Sequence, residues 1–202
     1  LYKSEAFMTD EEIDYQTIIA DLPAEKEQDE VQLVFSNEEK VLISEEESQI
    51  SYDEKIAIPV LLGNKATIVD LMKEIGWRAE VQIIDPKVDE ENDRRNRYAN
   101  VFYQSRQRKG IQLLDAQKWM RERNYFAAMM VVEGEADAMV SGYSRSYSSV
   151  VRPILQLIGK APGVSLVATT NMMMTNRGPI FLSDTAINPN PSAEGIAKIA
   201  LM

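Results

Sequence analysis

The sequence predicts an α/β fold built on a mainly parallel sheet. Three observations carry that expectation. Strand-like and helix-like stretches alternate between residues 31 and 86, the order that yields parallel strands joined by right-handed crossovers. The run Ile56-Ala-Ile-Pro-Val-Leu-Leu-Gly63 is continuously apolar, as suits a strand covered on both faces. The chain has 202 residues, 45% of them hydrophobic, enough for one large core.

The elements follow in order. Residues 1–30 are acidic and broken by Pro23. Thr9, with Glu12 three residues on, can start a short helix through Ile13, Ile18 and Ile19. Ala24–Glu30 is almost wholly charged and is expected to be a linker. The domain division that follows is an acidic leader over 1–30 and a folded domain over 31–202. Val31–Phe35 is β-branched and aromatic, ends at Ser36-Asn37 and predicts a strand. Glu38–Ser51 can form a helix, although Glu45-Glu46-Glu47 leaves it a thin apolar face. Ile56–Gly63 predicts the second strand. Asn64 is then a helix cap, with Ile68, Leu71, Met72 and Ile75 on one face and Gly76 as the stop. Val81–Pro86 predicts a third strand closed by an Asp-Pro turn.

Asp89–Lys109 reads as a polar helix with Tyr98, Val101 and Phe102 inward, stopped at Gly110. Its closing cations, Arg106, Arg108 and Lys109, suit a helix C-terminus. Leu113–Arg123 predicts another helix, and the apolar Tyr125–Val132 a buried one. Gly134 interrupts it, Glu135–Val140 forms a second buried segment, and Ser141-Gly142 breaks the pattern. Hydroxyl-rich residues 143–149 then lead into a helix carrying Arg152. Backbone N–H groups and hydroxyls at a helix start, with an arginine one turn in, are what an anionic group needs. From the residues alone the simpler description comes first: a buried helix, a glycine turn and an ordinary capped helix. Val164–Thr175 and Gly178–Ser183 predict a hairpin turning at Asn176-Arg177. Met172-Met173-Met174 is expected to fill core space rather than bind a ligand. Asp184–Pro191 is a polar loop, and Ser192 caps a last apolar helix from Ala193.

Composition excludes several chemistries. The sequence contains neither cysteine nor histidine. Disulfides, thiolate catalysis, a Ser-His-Asp triad, a histidine base and Cys- or His-ligated metal are therefore impossible within it. Absence of cysteine fits a cytoplasmic location. No apolar run spans a bilayer, and residues 1–5 do not resemble a signal peptide. The net charge of −10 is uneven: residues 1–54 hold 17 acidic and 3 basic residues, hence −14, and the rest is +4. A mildly basic body can hold an anionic metabolite. No dense Lys/Arg run with interleaved aromatics marks a nucleic-acid surface. No Gly-rich dinucleotide or Walker motif is present.

Several blocks, in order, resemble the phosphate acetyltransferase (phosphotransacetylase) family. They are Ile58–Gly63, Ile84-Asp-Pro86, Phe102–Arg106 with Arg108-Lys-Gly110, Glu135–Gly142, Val151–Gln156, Asp184–Glu194 and Ile196–Ala200. Met120–Met130 and Asn176–Thr185 are most similar to the C-terminal phosphotransacetylase-like domain of bacterial NADP-dependent malic enzymes. The resemblance covers roughly 31–202. It implies an α/β/α sandwich in two subdomains, of which this sequence supplies the first and part of the second. It also implies acetyl transfer between coenzyme A and phosphate by direct attack of the thiolate, with no metal and no acyl-enzyme. Arg106 and Arg152 then match arginines that hold the phosphoryl group. Ser141, Gly142, Ser149, Arg152 and Asp184 fall in the ligand-binding set.

Departures from the family pattern bear on function. Where active members read Gly-x-x-His-x-Thr-Ala-Asp-Thr-x-Arg-Pro, Gly142–Pro153 places Arg145 for the histidine, Tyr147 for the threonine and Ser149 for the aspartate. Further catalytic serine, arginine and aspartate positions of the family lie beyond residue 202. The resemblance thus implies a regulatory, acetyl-CoA-binding domain of a malic enzyme that oxidatively decarboxylates malate. NADP and a divalent metal would belong to other domains of that polypeptide. An active phosphate acetyltransferase is the alternative, and an oligomerisation module the blandest reading, since family members dimerise. The expected ligands are acetyl-CoA, CoA or acetyl phosphate; the expected partner is a second copy of the chain, with no nucleic acid and no membrane.

Overall fold

In a computed structural model, residues 32–36, 42–142 and 146–201 are described. The expected leader helix, the linker and Arg145 lie outside them. Four strands form one parallel sheet: β1 (Gln32–Ser36), β2 (Ile58–Leu62), β3 (Gln82–Ile84) and β4 (Ala138–Ser141), in the order β3-β2-β1-β4. Around it run α1 (Leu42–Asp53), α2 (Lys65–Glu74), α3 (Asn92–Arg106), α4 (Leu113–Trp119), α5 (Arg123–Val132) and α6 (Tyr147–Leu157). The α/β/α sandwich expected from the sequence is present.

Strand β2 shows why its sequence is apolar throughout. Val60 and Leu62 point to one face, into a core with Tyr98, Phe102, Met120, Phe126 and Met129. Leu61 points to the other, against Ile68, Met72 and Trp77. Alternate residues of a strand face opposite ways, so a strand with helices on both sides has no polar face. All three are at most 3% exposed, and each buried side chain of this size contributes about 1.5–3 kcal/mol. Helices α3, α4 and α5 cover the first face. Helix α2 covers the second, where Tyr52 of α1 meets the Trp77 ring edge-on at 6.3 Å.

Local chemistry sets the boundaries. Asn64 Oδ1 accepts the Thr67 N–H at 3.1 Å and starts α2. Gly110, at φ 85°, closes the helical stretch that ends α3, in the left-handed conformation where a side chain is disfavoured. The loop after β3 is fixed by Arg95, 3% exposed, which donates to the Pro86 carbonyl at 2.6 Å and the Val88 carbonyl at 2.5 Å. Helix α5 is buried from Asn124 to Met130 because it lies between the sheet, over β1 and β4, and the rest of its layer.

Three expectations change. The segment Glu135–Val140 is not uniformly buried: β4 is an edge strand of the described sheet, and Val140 is 38% exposed. The hairpin forms, with β5 (Thr170–Thr175) antiparallel to β6 (Gly178–Ser183), but its first strand is half as long as expected, since residues 164–169 are not strand. Its methionines do not fill a core, however. Met172, Met173 and Met174 are 61%, 52% and 66% exposed, and Phe181 is 63% exposed. A two-stranded ribbon paired only with itself offers no second layer to either face. Ser192 Oγ accepts the Gly195 N–H at 3.1 Å and starts the last helix, α7 (Ala193–Ala200).

Candidate functional site

The strand order sets one carboxyl edge of the sheet apart before any side chain is considered. Strands β1 and β4 are neighbours, and their last residues, Ser36 and Ser141, pair in register. The chain leaving β1 goes to α1, in the layer of α2 and Trp77. The chain leaving β4 goes to α6, whose Leu157 packs into the opposite core with Phe102 and Phe126. Two adjacent parallel strands whose chains depart to opposite faces mark the carboxyl edge at which open α/β sheets generally bind ligands.

Ser141 and Gly142 lie at that edge, and α6 begins five residues later. Ser141 Oγ donates to Asn124 Oδ1 at 2.8 Å. Asn124, 8% exposed, donates through Nδ2 to the Ser149 carbonyl at a long 3.5 Å. That carbonyl is available for a reason written in the sequence. Pro153 sits four residues on, inside α6, and has no N–H to give it. Asn124 takes the place of the missing helical donor and ties the end of β4 to the first turn of α6. Ser146 supplies no side-chain cap to α6, and the first turn holds no acidic residue. A helix start with no side-chain cap or acidic group among the described residues favours an anion.

The predicted site residues divide into two groups. Ser141, Gly142, Ser149 and Arg152 come together on the β4–α6 connection. Arg152 is exposed, and its charge is felt at the Tyr125 phenol. Ser149 Oγ donates to the Ser146 carbonyl at 2.7 Å, so its hydroxyl serves the turn. Arg106, at the end of α3, reaches the other end of α6. Its Nε donates to the Gln156 carbonyl at 2.8 Å, and its Nη2 to the Gln156 and Leu155 carbonyls at 2.5 and 3.1 Å. These are terminal helix carbonyls without helical partners, and a guanidinium fork suits them.

Asp184 belongs to the second group. Its Oδ1 accepts from Thr169 N–H and Oγ1 and from the N–H groups of Ala186 and Ile187. Its Oδ2 accepts from Asn188 N–H and Nδ2. The hydrogen bond from Thr169, with those from Asn188, Ile187 and Ala186, holds the carboxyl well below the ordinary carboxylate range. It organises the loop after the hairpin.

Sequence reasoning missed Asn124, Tyr125 and Gln156. Tyr125 OH donates to Gln156 Oε1 at 2.7 Å. Burial raises its pKa, and the Arg152 charge offsets part of that rise. The available signal was polarity: Asn124 opens an otherwise apolar helix, and Gln156 interrupts an apolar one.

Residues 17–202 match the family model for phosphate acetyl/butaryl transferase. The chain is 34% identical over 148 residues to a phosphate acetyltransferase of Nitratidesulfovibrio vulgaris, covering 73% of this chain and 21% of that protein. It is 33% identical over 152 residues to an NADP-dependent malic enzyme of Haemophilus influenzae, covering 73% of this chain and 20% of that protein. Its fold superposes on the crystal structure of a phosphotransacetylase from Streptococcus pyogenes with a TM-score of 0.70 at 31% identity, over 85% of this chain and 52% of that one. The chain thus spans about a fifth of the length of these two relatives and about half of the solved structure. Its sheet, its β4–α6 connection and these likenesses place it in one group: the chain belongs to the phosphate acetyl/butaryl transferase family.

Proposed function

We propose that this chain is a phosphotransacetylase-like domain that binds acetyl-CoA or acetyl phosphate and regulates an NADP-dependent malic enzyme. In this reading it works in the cytoplasm as part of an oligomer. One observation carries the binding half. The frame of an anion site stands at the carboxyl end of the sheet, with Arg152 exposed beside it, while Arg106, which acetyl transfer would use, and Ser149, a ligand-binding candidate, are engaged within the chain. Arg106 is held by the carbonyls of Leu155 and Gln156, and the Ser149 hydroxyl by Ser146. A pocket of this kind positions a phosphoryl group better than it follows one through a reaction. The malic enzyme relative supports the regulatory half. Allostery of this kind needs tighter acetyl-CoA binding in one state of the partner active site than in the other.

The alternative is acetyl transfer between CoA and phosphate, supported by the phosphate acetyltransferase relatives. One assay separates the two. Acetyl-CoA is added to the full polypeptide, and both malate-dependent NADPH formation and CoA acetylation from acetyl phosphate are followed. Altered NADPH formation without acetylation supports regulation. Acetylation that disappears in Arg106→Ala and Arg152→Ala would establish the enzyme instead. No binding of acetyl-CoA at all would remove both.

A further inference from the structure

We propose that Tyr125 and Gln156 are positioning residues that hold Arg152 at the anion site, with Arg106 anchoring the end of α6 beneath it. The proposal rests on the anion-site reading above and deepens it. Gln156 is the shared point. Its side-chain oxygen accepts from Tyr125 OH at 2.7 Å, and its backbone carbonyl accepts from Arg106 Nε at 2.8 Å. Arg152 stands four residues earlier on α6, hence on the same helical face. Tyr125 itself has little freedom. It is 8% exposed, its ring stacks on Trp119 at 5.3 Å and 16°, and Phe102 packs against it at 5.8 Å. Phe102 lies one turn before Arg106 on α3, so the same aromatic block fixes the base of Arg106.

The geometry gives Tyr125 a task beyond packing. A helix on the sheet surface can rotate about its axis while keeping its apolar stripe roughly inward. Rotation of α6 would displace Arg152 and draw the 155–156 carbonyls away from Arg106. The phenol–amide hydrogen bond resists that rotation. Both ends of the bond are anchored: the phenol by two rings, the amide by a carbonyl held in the Arg106 fork.

The test uses acetyl phosphate and inorganic phosphate as probes, with titration calorimetry on the chain and on Tyr125→Phe, Gln156→Leu, Arg152→Ala and the Tyr125→Phe/Arg152→Ala double variant. Loss of one hydrogen bond that organises a charged site should weaken acetyl phosphate binding about 5- to 10-fold in Tyr125→Phe. Gln156→Leu, which keeps the carbonyl for Arg106, should give a similar loss and serves if Tyr125→Phe folds poorly. In the Arg152→Ala background Tyr125→Phe should change affinity less than about 2-fold, because its effect runs through Arg152. Full multiplication of the two effects would mean a merely structural role and overturn the proposal. So would wild-type affinity in Tyr125→Phe while Arg152→Ala binds weakly. If Arg152→Ala binds as tightly as the unaltered chain, the anion-site reading itself falls, and this proposal with it.

Discussion

The link between Asn124 and Pro153 makes a quantitative prediction. Asn124→Ala removes at least two hydrogen bonds, one from Ser141 Oγ at 2.8 Å and one to the Ser149 carbonyl at 3.5 Å. The first is worth about 1 kcal/mol and the long second less, while the acceptor left without a donor adds a desolvation cost. Ser141 and Ser149 are only half-buried, so water relieves part of that cost. The expected loss is about 2 kcal/mol. The cause of the cost is that residue 153 has no N–H for the Ser149 carbonyl. Pro153→Ala supplies one. In that background Asn124→Ala should cost about 0.5–1 kcal/mol less, a coupling of the size expected for groups sharing a partner. Urea unfolding of the four chains, compared through midpoints at constant slope, measures both quantities. A loss below about 0.5 kcal/mol for Asn124→Ala, or the same loss in both backgrounds, would refute the reasoning.

Three further outcomes follow from other parts of the structure. A Cβ added at Gly63 would lie 3.1 Å from Ile68 Cδ1 and 3.3 Å from Arg123 Cζ; Gly63→Ala should therefore cost about 1–2 kcal/mol by overpacking, read as a lowered thermal midpoint. Phe126 is wholly buried and Phe181 is 63% exposed, so Phe126→Ala should destabilise the 202-residue chain by about 3–5 kcal/mol, whereas Phe181→Ser should stay within about 0.5 kcal/mol. The Asp184 carboxyl is held below its ordinary pKa, so its contribution is present above the unfolded value of about 3.9 and is lost as pH falls towards the folded one. Asp184→Asn should be less stable than the parent at neutral pH, and the gap should close as pH is lowered below about 4.

Much of the sandwich was legible because periodicity and caps agree there. The apolar Ile58–Leu62 run, Asn64 and Gly76 each name a local event, and the parallel sheet follows from their order. The hairpin was legible for the same reason, through Asn176-Arg177 between two β-rich runs. The exposure of its methionines was not, because whether a ribbon is covered depends on layers that local sequence does not specify. Nor was the edge position of β4 in the described sheet, since strand order is a long-range property. At the site, the sequence identified the connection and the arginines but not what holds them. Asn124 and Gln156 belong to no pattern that local sequence marks, and Pro153 lies within a stretch that reads simply as helix. Their purpose is visible only when α5 and α6 are seen side by side.

That pairing explains how an exposed arginine acquires a defined place. Asn124 and Tyr125 are consecutive residues in the first turn of α5, and α5 is anchored by burial from Asn124 to Met130. One grips α6 at the Ser149 carbonyl, the other at the Gln156 side chain. The two grips lie seven residues apart, two helical turns and about 10 Å along the axis, so they fall on the same side of α6. Arg152 projects from the stretch between them. A long cation on an exposed helix normally loses much of its attraction for an anion to side-chain freedom and to water. Here the backbone beneath it is fixed at both ends, so in the proposed anion site only its own rotamers would remain to be ordered. Fixing the helix in this way lowers the ordering cost of any anion bound there.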